Sequence, residues 1–416
     1  MFIPIVIDPC AFYDYRYLWE YLKYEYHAYK NGWPIIASYE FSQYRIKRPI
    51  SNVYEERFCR LHGYELLDIE QEKAVEKYFV PDNIFDELYK KTGSNLGTKI
   101  HLLQNRYKPF EKCLWEIVKK INNKNHEKIE GFITWNAHYK SIDYIAKKIH
   151  VPVITNEFSI RMPEFRPLSY FLKGEIYGSD EIWCNYRKFI TYKPEFELFS
   201  RKELLALFLS DECIEELFEE PEPIYEMGIA GCHPLIATYF SKSMYTDLEL
   251  IQDVRNQYAE EDILFRMHPG DEPYQAHYTL KNVDSSQYAS RFIKKCKRIV
   301  AQGSNVLLEA MLWGKQVFSH DISPFNQFCE NNLSNKESGN VDVEVLNYLL
   351  LSEFVPFELI CDKEYMRWRL REKNSYRIYK KNMYYYFHCL NIPQEVAELK
   401  SEERLKEILK CRGVLK

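Results

Sequence analysis

Short apolar runs alternate with amphipathic stretches along this chain, in two series with one interruption, and that alternation limits its fold more than any other feature. In the first series Gly131-Phe132-Ile133-Thr134-Trp135-Asn136 reads as a strand, His138 to Ile149 as an amphipathic helix, and Val151 to Asn156 as a second strand. Parallel strands need a long crossover, and a helix of this length supplies one, so the segment reads as a βαβ unit. The opening run from Met1 to Ile7, ahead of Asp8, reads as a buried first strand. It is too short for a membrane span and lacks the basic leader of a signal peptide.

The interruption is an acidic helical stretch from about residue 200 to 219, closed by Glu219-Glu220-Pro221-Glu222-Pro223, where two prolines end any helix. The second series then begins. Ile224 to Ala230 predicts a strand, Gly231-Cys232-His233-Pro234 a turn opening a helix, and Thr246 to Tyr258 a helix. Asp262 to Met267 predicts a strand running into His268-Pro269-Gly270, and Ser286 to Lys297 a helix. Arg298 to Ala301 is a strand, Gly303-Ser304-Asn305 a turn, Val306 to Trp313 a helix and Lys315 to Phe318 another strand. Four strands alternating with helices predict a doubly wound sheet. The expected fold is α/β, with two Rossmann-like domains facing across a cleft. The domains expected are 1–222 on the acceptor and sugar side and 223–385 on the nucleotide side, with 386–416 as a helical extension.

Composition excludes several classes. Hydrophobic residues at 46% and charged residues at 28% give a globular balance rather than a disordered or membrane one. A net charge of −5 argues against a nucleic-acid partner. Eleven cysteines, none spaced Cys-x-x-Cys, suggest neither a zinc site nor a disulfide framework, so a reducing cytoplasm is expected. Beyond residue 364 the chain turns basic and aromatic, with Arg367, Arg369, Arg371, Lys373, Arg377, Lys380 and Lys381 ahead of Tyr384 to Phe387. This stretch suits a peripheral contact with anionic lipid, or a solvated helix face packing back on the body. Lys416 ends the sequence without a terminating feature, as in one module of a longer chain.

In open α/β sheets ligands bind at the carboxyl ends of strands, where loops lead into helices. His268 follows one predicted strand of the second series, and Ser304 and Asn305 follow another. A Gly-Ser-Asn turn can cap a helix, or it can let a phosphate approach backbone N–H groups. Glu309 lies four and five residues after Asn305 and Ser304, about one helical turn on, and so shares a face with that turn. Serine or asparagine for phosphate with glutamate for ribose is a nucleotide arrangement; a solvent-facing glutamate is the alternative. Asp68-Ile69-Glu70 and Asp342-Val343-Glu344 have spacing related to a metal motif but sit in helical surroundings, so no metal is expected.

The stretch from Phe265 to Ser319 holds Arg266-Met267-His268-Pro269, Gly303-Ser304-Asn305, Glu309-Ala310 and Gly314-Lys315-Gln316-Val317. It resembles the bacterial capsule and lipopolysaccharide β-Kdo transferases, GT-B glycosyltransferases that share these motifs with GT-B sialyltransferases. The resemblance implies a CMP-Kdo donor, with His268 and the Ser304-Asn305 turn on the CMP phosphate, Arg266, Pro269 and Gly303 in the same site, and Glu309 on the ribose. The segment Thr155 to Arg161 looks like the glutamate-containing segment of that family. Glu157 is then the candidate acid/base, and Arg161 the partner of the Kdo carboxylate, or else half of a salt bridge with Glu164 or another nearby acid. Asn136 is expected on the substrate side.

Gly231-Cys232-His233-Pro234 resembles the segment where retaining members carry an aspartate before His-Pro, expected to attack the anomeric carbon and form a covalent adduct. Cys232 stands there instead, with His233 beside it. A thiol is only a few per cent ionised at neutral pH unless its neighbours lower its pKa. Natural divergence, a replaced nucleophile and a small buried turn residue are the readings of Cys232, and replacement is favoured because the other motif residues are present. The resemblance further implies a lipid-linked or polysaccharide acceptor at the inner face of the cytoplasmic membrane, and no cofactor beyond the donor. An inverting sialyltransferase-like enzyme and a non-catalytic nucleotide- or sugar-binding module remain open; a nucleotide-sugar epimerase fits less well.

Overall fold

The computed structural model describes residues 1–7, 18–43, 56–136, 138–192, 194–219, 221–232, 245–268, 280–319, 323–335 and 339–415. Contacts divide the chain into two compact units. The first comprises Met1–Glu157, Phe171–Glu175 and Phe357–Arg367, and the second comprises the remainder. Each unit is built on a parallel sheet, which bears out the expected pair of Rossmann-like domains.

The first sheet holds β1 (Phe2–Val6), β2 (Ile35–Ser38), β3 (Lys77–Val80), β4 (Gly131–Trp135) and β5 (Val153–Asn156) in the order β3-β2-β1-β4-β5. Every residue of β1, β2, β4 and β5 is buried, as parallel strands covered on both faces should be. The crossover from β4 to β5 is the helix Lys140–Lys148, which buries Ile142, Ile145 and Ala146 at helical spacing. The expected βαβ unit is therefore present.

Phe357–Arg367 returns to this first unit from far along the sequence. Arg367 forks onto Glu130, with Nη2 2.6 Å from Oε1 and Nε 2.8 Å from Oε2. Lys363 pairs with Glu127 at 2.8 Å. Phe357 also covers Lys23, whose ammonium lies 3.8 Å from that ring's centroid and 4.0 Å from that of Trp135. Burial pushes the Lys23 pKa down to about 7 from 10.5. Between those values the unfolded chain holds a proton that the folded chain gives up, so stability rises with pH through that window and the penalty is complete below about 7. Lys23→Met should therefore stabilise the protein by on the order of 2–4 kcal/mol at pH 6, and by little at pH 10.5. Urea denaturation at the two pH values measures this, and equal effects at both would refute it.

The second unit contains β6 (Phe158–Ile160), β7 (Leu168–Ser169), β8 (Tyr225–Ala230), β9 (Ile263–Arg266), β10 (Cys296–Ala301), β11 (Gln316–Ser319) and β12 (Val355–Pro356). The parallel sheet runs β11-β10-β8-β9, which gives the four strands expected. A second, antiparallel sheet of β12-β7-β6 was not expected. Two of its strands have two residues each, too few to show any periodicity.

The units do not follow the boundary expected at residue 222, because 176–222 packs with the second unit. The helix Arg201–Phe208 is almost wholly buried, and its Glu203 pairs at 2.6 Å with Arg404 of the helix Ser401–Cys411, both side chains fully buried. Arg404 also donates to the carbonyls of Glu197, Leu198 and Ala397. The expected extension 386–416 is thereby part of the second unit's core. The single helix expected over 200–219 is two pieces, because Leu209 turns extended to bridge Phe165 and the Ser210 N–H donates to the Glu164 carbonyl.

Several groups of the basic stretch are matched within their own unit. Lys380 pairs with Glu195 at 2.6 Å, and the Lys381 ammonium lies 4.1 Å from the Trp368 ring centroid. These contacts favour packing on the body. Among the described residues no helix is long and apolar enough to cross a membrane.

Candidate functional site

In the second sheet β8 lies between β9 and β10. The chain runs from β8 to β9 on one side, then crosses to β10 and β11 on the other, so the direction of winding reverses between β8 and β10. Such a reversal leaves a crevice at the carboxyl ends of the two strands, which is where doubly wound sheets bind ligands. The register pairs Ala230 with Ala301 and with Arg266, so the three strands end level. The loops carrying Cys232, His268 and Ser304 therefore open at one edge of the sheet.

Close approach explains Gly231. A Cβ there would stand 3.1 Å from Asp247 Oδ2, 3.2 Å from the His268 nitrogen and 3.3 Å from the Arg266 carbonyl. Cys232 follows, buried, and its backbone N–H donates to Asp247 Oδ2 at 2.8 Å. Asp247 is itself buried and opens the helix Asp247–Arg255. The sequence reading missed this carboxylate, although the Thr246 and Glu249 capping box marks where its helix begins. His268 lies two residues beyond β9 and is half-buried. His233 and Pro269 lie outside the described residues.

The turn after β10 is more committed than its sequence suggests. Asn305 stands at the start of the helix Val306–Leu312 but does not cap it with its side chain. Instead Asn305 Oδ1 accepts from the Tyr170 hydroxyl at 2.8 Å, and Nδ2 donates to the Phe158 carbonyl at 2.5 Å. That amide ties the helix to the antiparallel sheet. Gly303 is buried, and Ser304 Oγ accepts weakly from the Val306 N–H at 3.3 Å. The turn thus has the Ser304 hydroxyl and backbone N–H groups to give an anion, rather than the Asn305 side chain.

Glu309 does not face solvent. It is 5% exposed, and among the described residues its Oε2 has no hydrogen-bond partner. Burial, reinforced by the charge of Glu164 and opposed by those of Arg161 and Arg266, pushes its pKa up to about 8. At neutral pH it is a carboxylic acid that can donate as well as accept. Gln302 is also fully buried; its Nε2 donates to the Tyr245 carbonyl, and its Oε1 has no partner among the described residues. No sequence signal pointed to Gln302.

The two arginines differ. Arg266 is anchored, with Nη1 2.6 Å from Asp284 Oδ2 and 2.8 Å from the Ser286 carbonyl. Arg161 is exposed. Its expected partner Glu164 instead accepts from the N–H groups of Ala289 and Ser290 at 2.9 and 2.8 Å, capping the helix Ala289–Lys294.

The remaining expected residues lie in the first unit, whose sheet reverses between β1 and β4. Asn136 follows β4 in a left-handed conformation, φ 53°, and its N–H donates to the Asn156 carbonyl at 2.8 Å. Glu157 follows β5, half-buried. Asp68 and Asp342 each accept a backbone N–H at the start of a helix, which accounts for the two acidic pairs as caps. Among the described residues no group of three or more His, Cys, Asp or Glu side chains could hold a metal ion.

Residues 9–181, less than half of the chain, match the Glycosyltransferase 99 family N-terminal domain. That match supports glycosyl transfer. No curated protein matches the chain. Among solved structures it is similar to the Thermosulfurimonas dismutans KpsC β-Kdo 2,7 transferase, at 14% identity over 56% of this chain and 78% of that one, TM-score 0.34. The β-Kdo 2,4 transferase of the same KpsC is similar at 11% identity over 54% and 79%, TM-score 0.32. A Methanocaldococcus jannaschii UDP-GlcNAc 2-epimerase is similar at 12% identity over 92% and 100%, TM-score 0.33. Scores of this size assign no function.

Proposed function

We propose that this chain is a glycosyltransferase that moves Kdo from CMP-β-Kdo to a bacterial surface glycan with retention, by double displacement through position 232. One observation carries the reading. At the reversal between β8 and β10, the loop bearing Cys232 and the turn bearing Ser304 open side by side, and Glu309 is buried one helical turn below the second of them.

In this reading His268, Ser304 and the turn's backbone N–H groups hold the CMP phosphate, with Gly303 in the same turn. Protonated Glu309 meets the ribose hydroxyls, and Arg266, fixed by Asp284, adds positive charge nearby. The side chain at 232 attacks the anomeric carbon in its ionised form, the cysteine having first released its proton to solvent, and CMP leaves with the electron pair of the broken C–O bond. An acceptor hydroxyl then displaces the enzyme group and gives up its proton to a base, while Arg161 of the second unit holds the sugar carboxylate; Glu157 and Asn136 are the base and the substrate ligand that the resemblance implies. His233 acts beside the nucleophile. The inner face of the cytoplasmic membrane is where a lipid-linked acceptor would be presented.

Calorimetric titration tests the donor class. CMP should bind with a Kd in the micromolar range, and UDP and CDP about tenfold or more weakly. Preference for UDP would overturn the CMP-Kdo reading, and binding of none would make the turn at Ser304 an ordinary helix start.

A further inference from the structure

A groove of about 380 Å³ in the second unit is separate in its lining residues from the donor site proposed above. Its volume falls in the range of small-ligand sites, roughly 300–1,000 Å³. Trp183 and Tyr186 lie three residues apart on the helix Glu181–Phe189 and so share a face. Both meet Phe328 at 5.3 Å between ring centroids, edge-on, and all three rings line the groove. Each ring is partly exposed, so the cluster keeps aromatic surface in contact with solvent.

The polar lining is neutral or acidic. Gln327 and Asn340 are exposed amides, and Asp342 is an exposed carboxylate. Glu330 adds a second carboxylate, held in place by the N–H groups of Asn331 and Asn332 and by the Asn335 amide. The Tyr186 hydroxyl is fixed on Glu344 at 3.2 Å. No Lys, Arg or His occurs among the described lining residues.

A pyranose ring has an apolar C–H face that lies well on an aromatic side chain, and hydroxyls that amides and carboxylates can hold. Two carboxylates without a lining cation disfavour an anion such as CMP or a sugar acid. We infer that this groove binds a neutral sugar residue of the acceptor glycan. The inference rests on the glycosyltransferase reading for its biological role, while binding itself is measured independently.

Saturation-transfer NMR with methyl β-galactoside and N-acetylglucosamine as neutral probes, and glucuronate as the anionic one, tests it. At least one neutral probe should bind in the millimolar range and glucuronate about tenfold more weakly. Trp183→Ala should weaken the neutral probe about fivefold or more. Asn340→Lys, at an exposed position that leaves the fold intact, should shift preference toward glucuronate. CMP titration of the same variants should be unchanged. Absence of neutral binding, a full signal in Trp183→Ala, or equal glucuronate binding would overturn the proposal. Saccharide binding without CMP binding would instead remove the donor reading and leave the groove standing.

Discussion

Cys232→Asp is expected to raise Kdo transfer from CMP-Kdo by about two to four orders of magnitude. The backbone at 232 is fixed by its N–H bond to Asp247 Oδ2 and by the close packing of Gly231, neither of which involves the side chain. The exchange therefore keeps both backbone contacts and sets a carboxylate in a buried loop beside that of Asp247. A carboxylate is ionised at neutral pH and departs readily from an anomeric centre, whereas a thiol is mostly protonated and leaves a thioglycoside that turns over poorly. Initial rates with CMP-Kdo measure the gain, and intact-protein mass spectrometry should find a Kdo adduct lingering on the cysteine form. Equal rates for the two proteins would remove position 232 from the mechanism.

Glu309→Gln should change stability with a pH dependence of opposite sign to that at Lys23. The folded pKa of about 8 lies above the ordinary 4.5, so the folded chain holds a proton that the unfolded chain releases between those values. Stability from this group is fully present below about pH 4.5 and is lost as pH rises through about 8. The glutamine variant should therefore be more stable than the parent by on the order of 2–4 kcal/mol at pH 9, and close to it at pH 5. Glutamine keeps a donor and an acceptor, so CMP affinity at pH 7 should stay within about threefold. Glu309→Ala should lose about tenfold or more, by leaving the ribose hydroxyls unmatched. A parallel pH profile for parent and glutamine forms in denaturant would contradict a buried acid, and intact affinity in the alanine form would remove Glu309 from the site.

Three strands of the first sheet, β1, β4 and β5, and the four of the second were legible as apolar runs between helices, whereas β2 and the half-buried β3 were not read. The placement of Cys232, His268 and Ser304 at strand ends followed from that alternation alone. Glu309 could be placed on the turn's face by spacing, but its burial could not, since Leu307-Leu308-Glu309-Ala310 gives no sign that the whole helix is enclosed. Asn305 looked like a cap or a phosphate ligand; its actual partners, Tyr170 and Phe158, lie more than a hundred residues away. The same distance hid the Glu203–Arg404 pair, and with it the unity of 176–222 and 386–416. Local pattern determines elements, and long-range polar pairs decide which elements belong together.

The return of Phe357–Arg367 to the first unit bears on the order in which this protein is made. Translation delivers β1 to β5 early, yet the ring over Lys23 and the guanidinium on Glu130 are synthesised only after most of the second unit. On the ribosome the first unit must wait, with part of its apolar surface unfinished, until the polypeptide has grown past residue 367. For the same reason no single cut in the gene yields either unit whole, because each is assembled from separated stretches of the message.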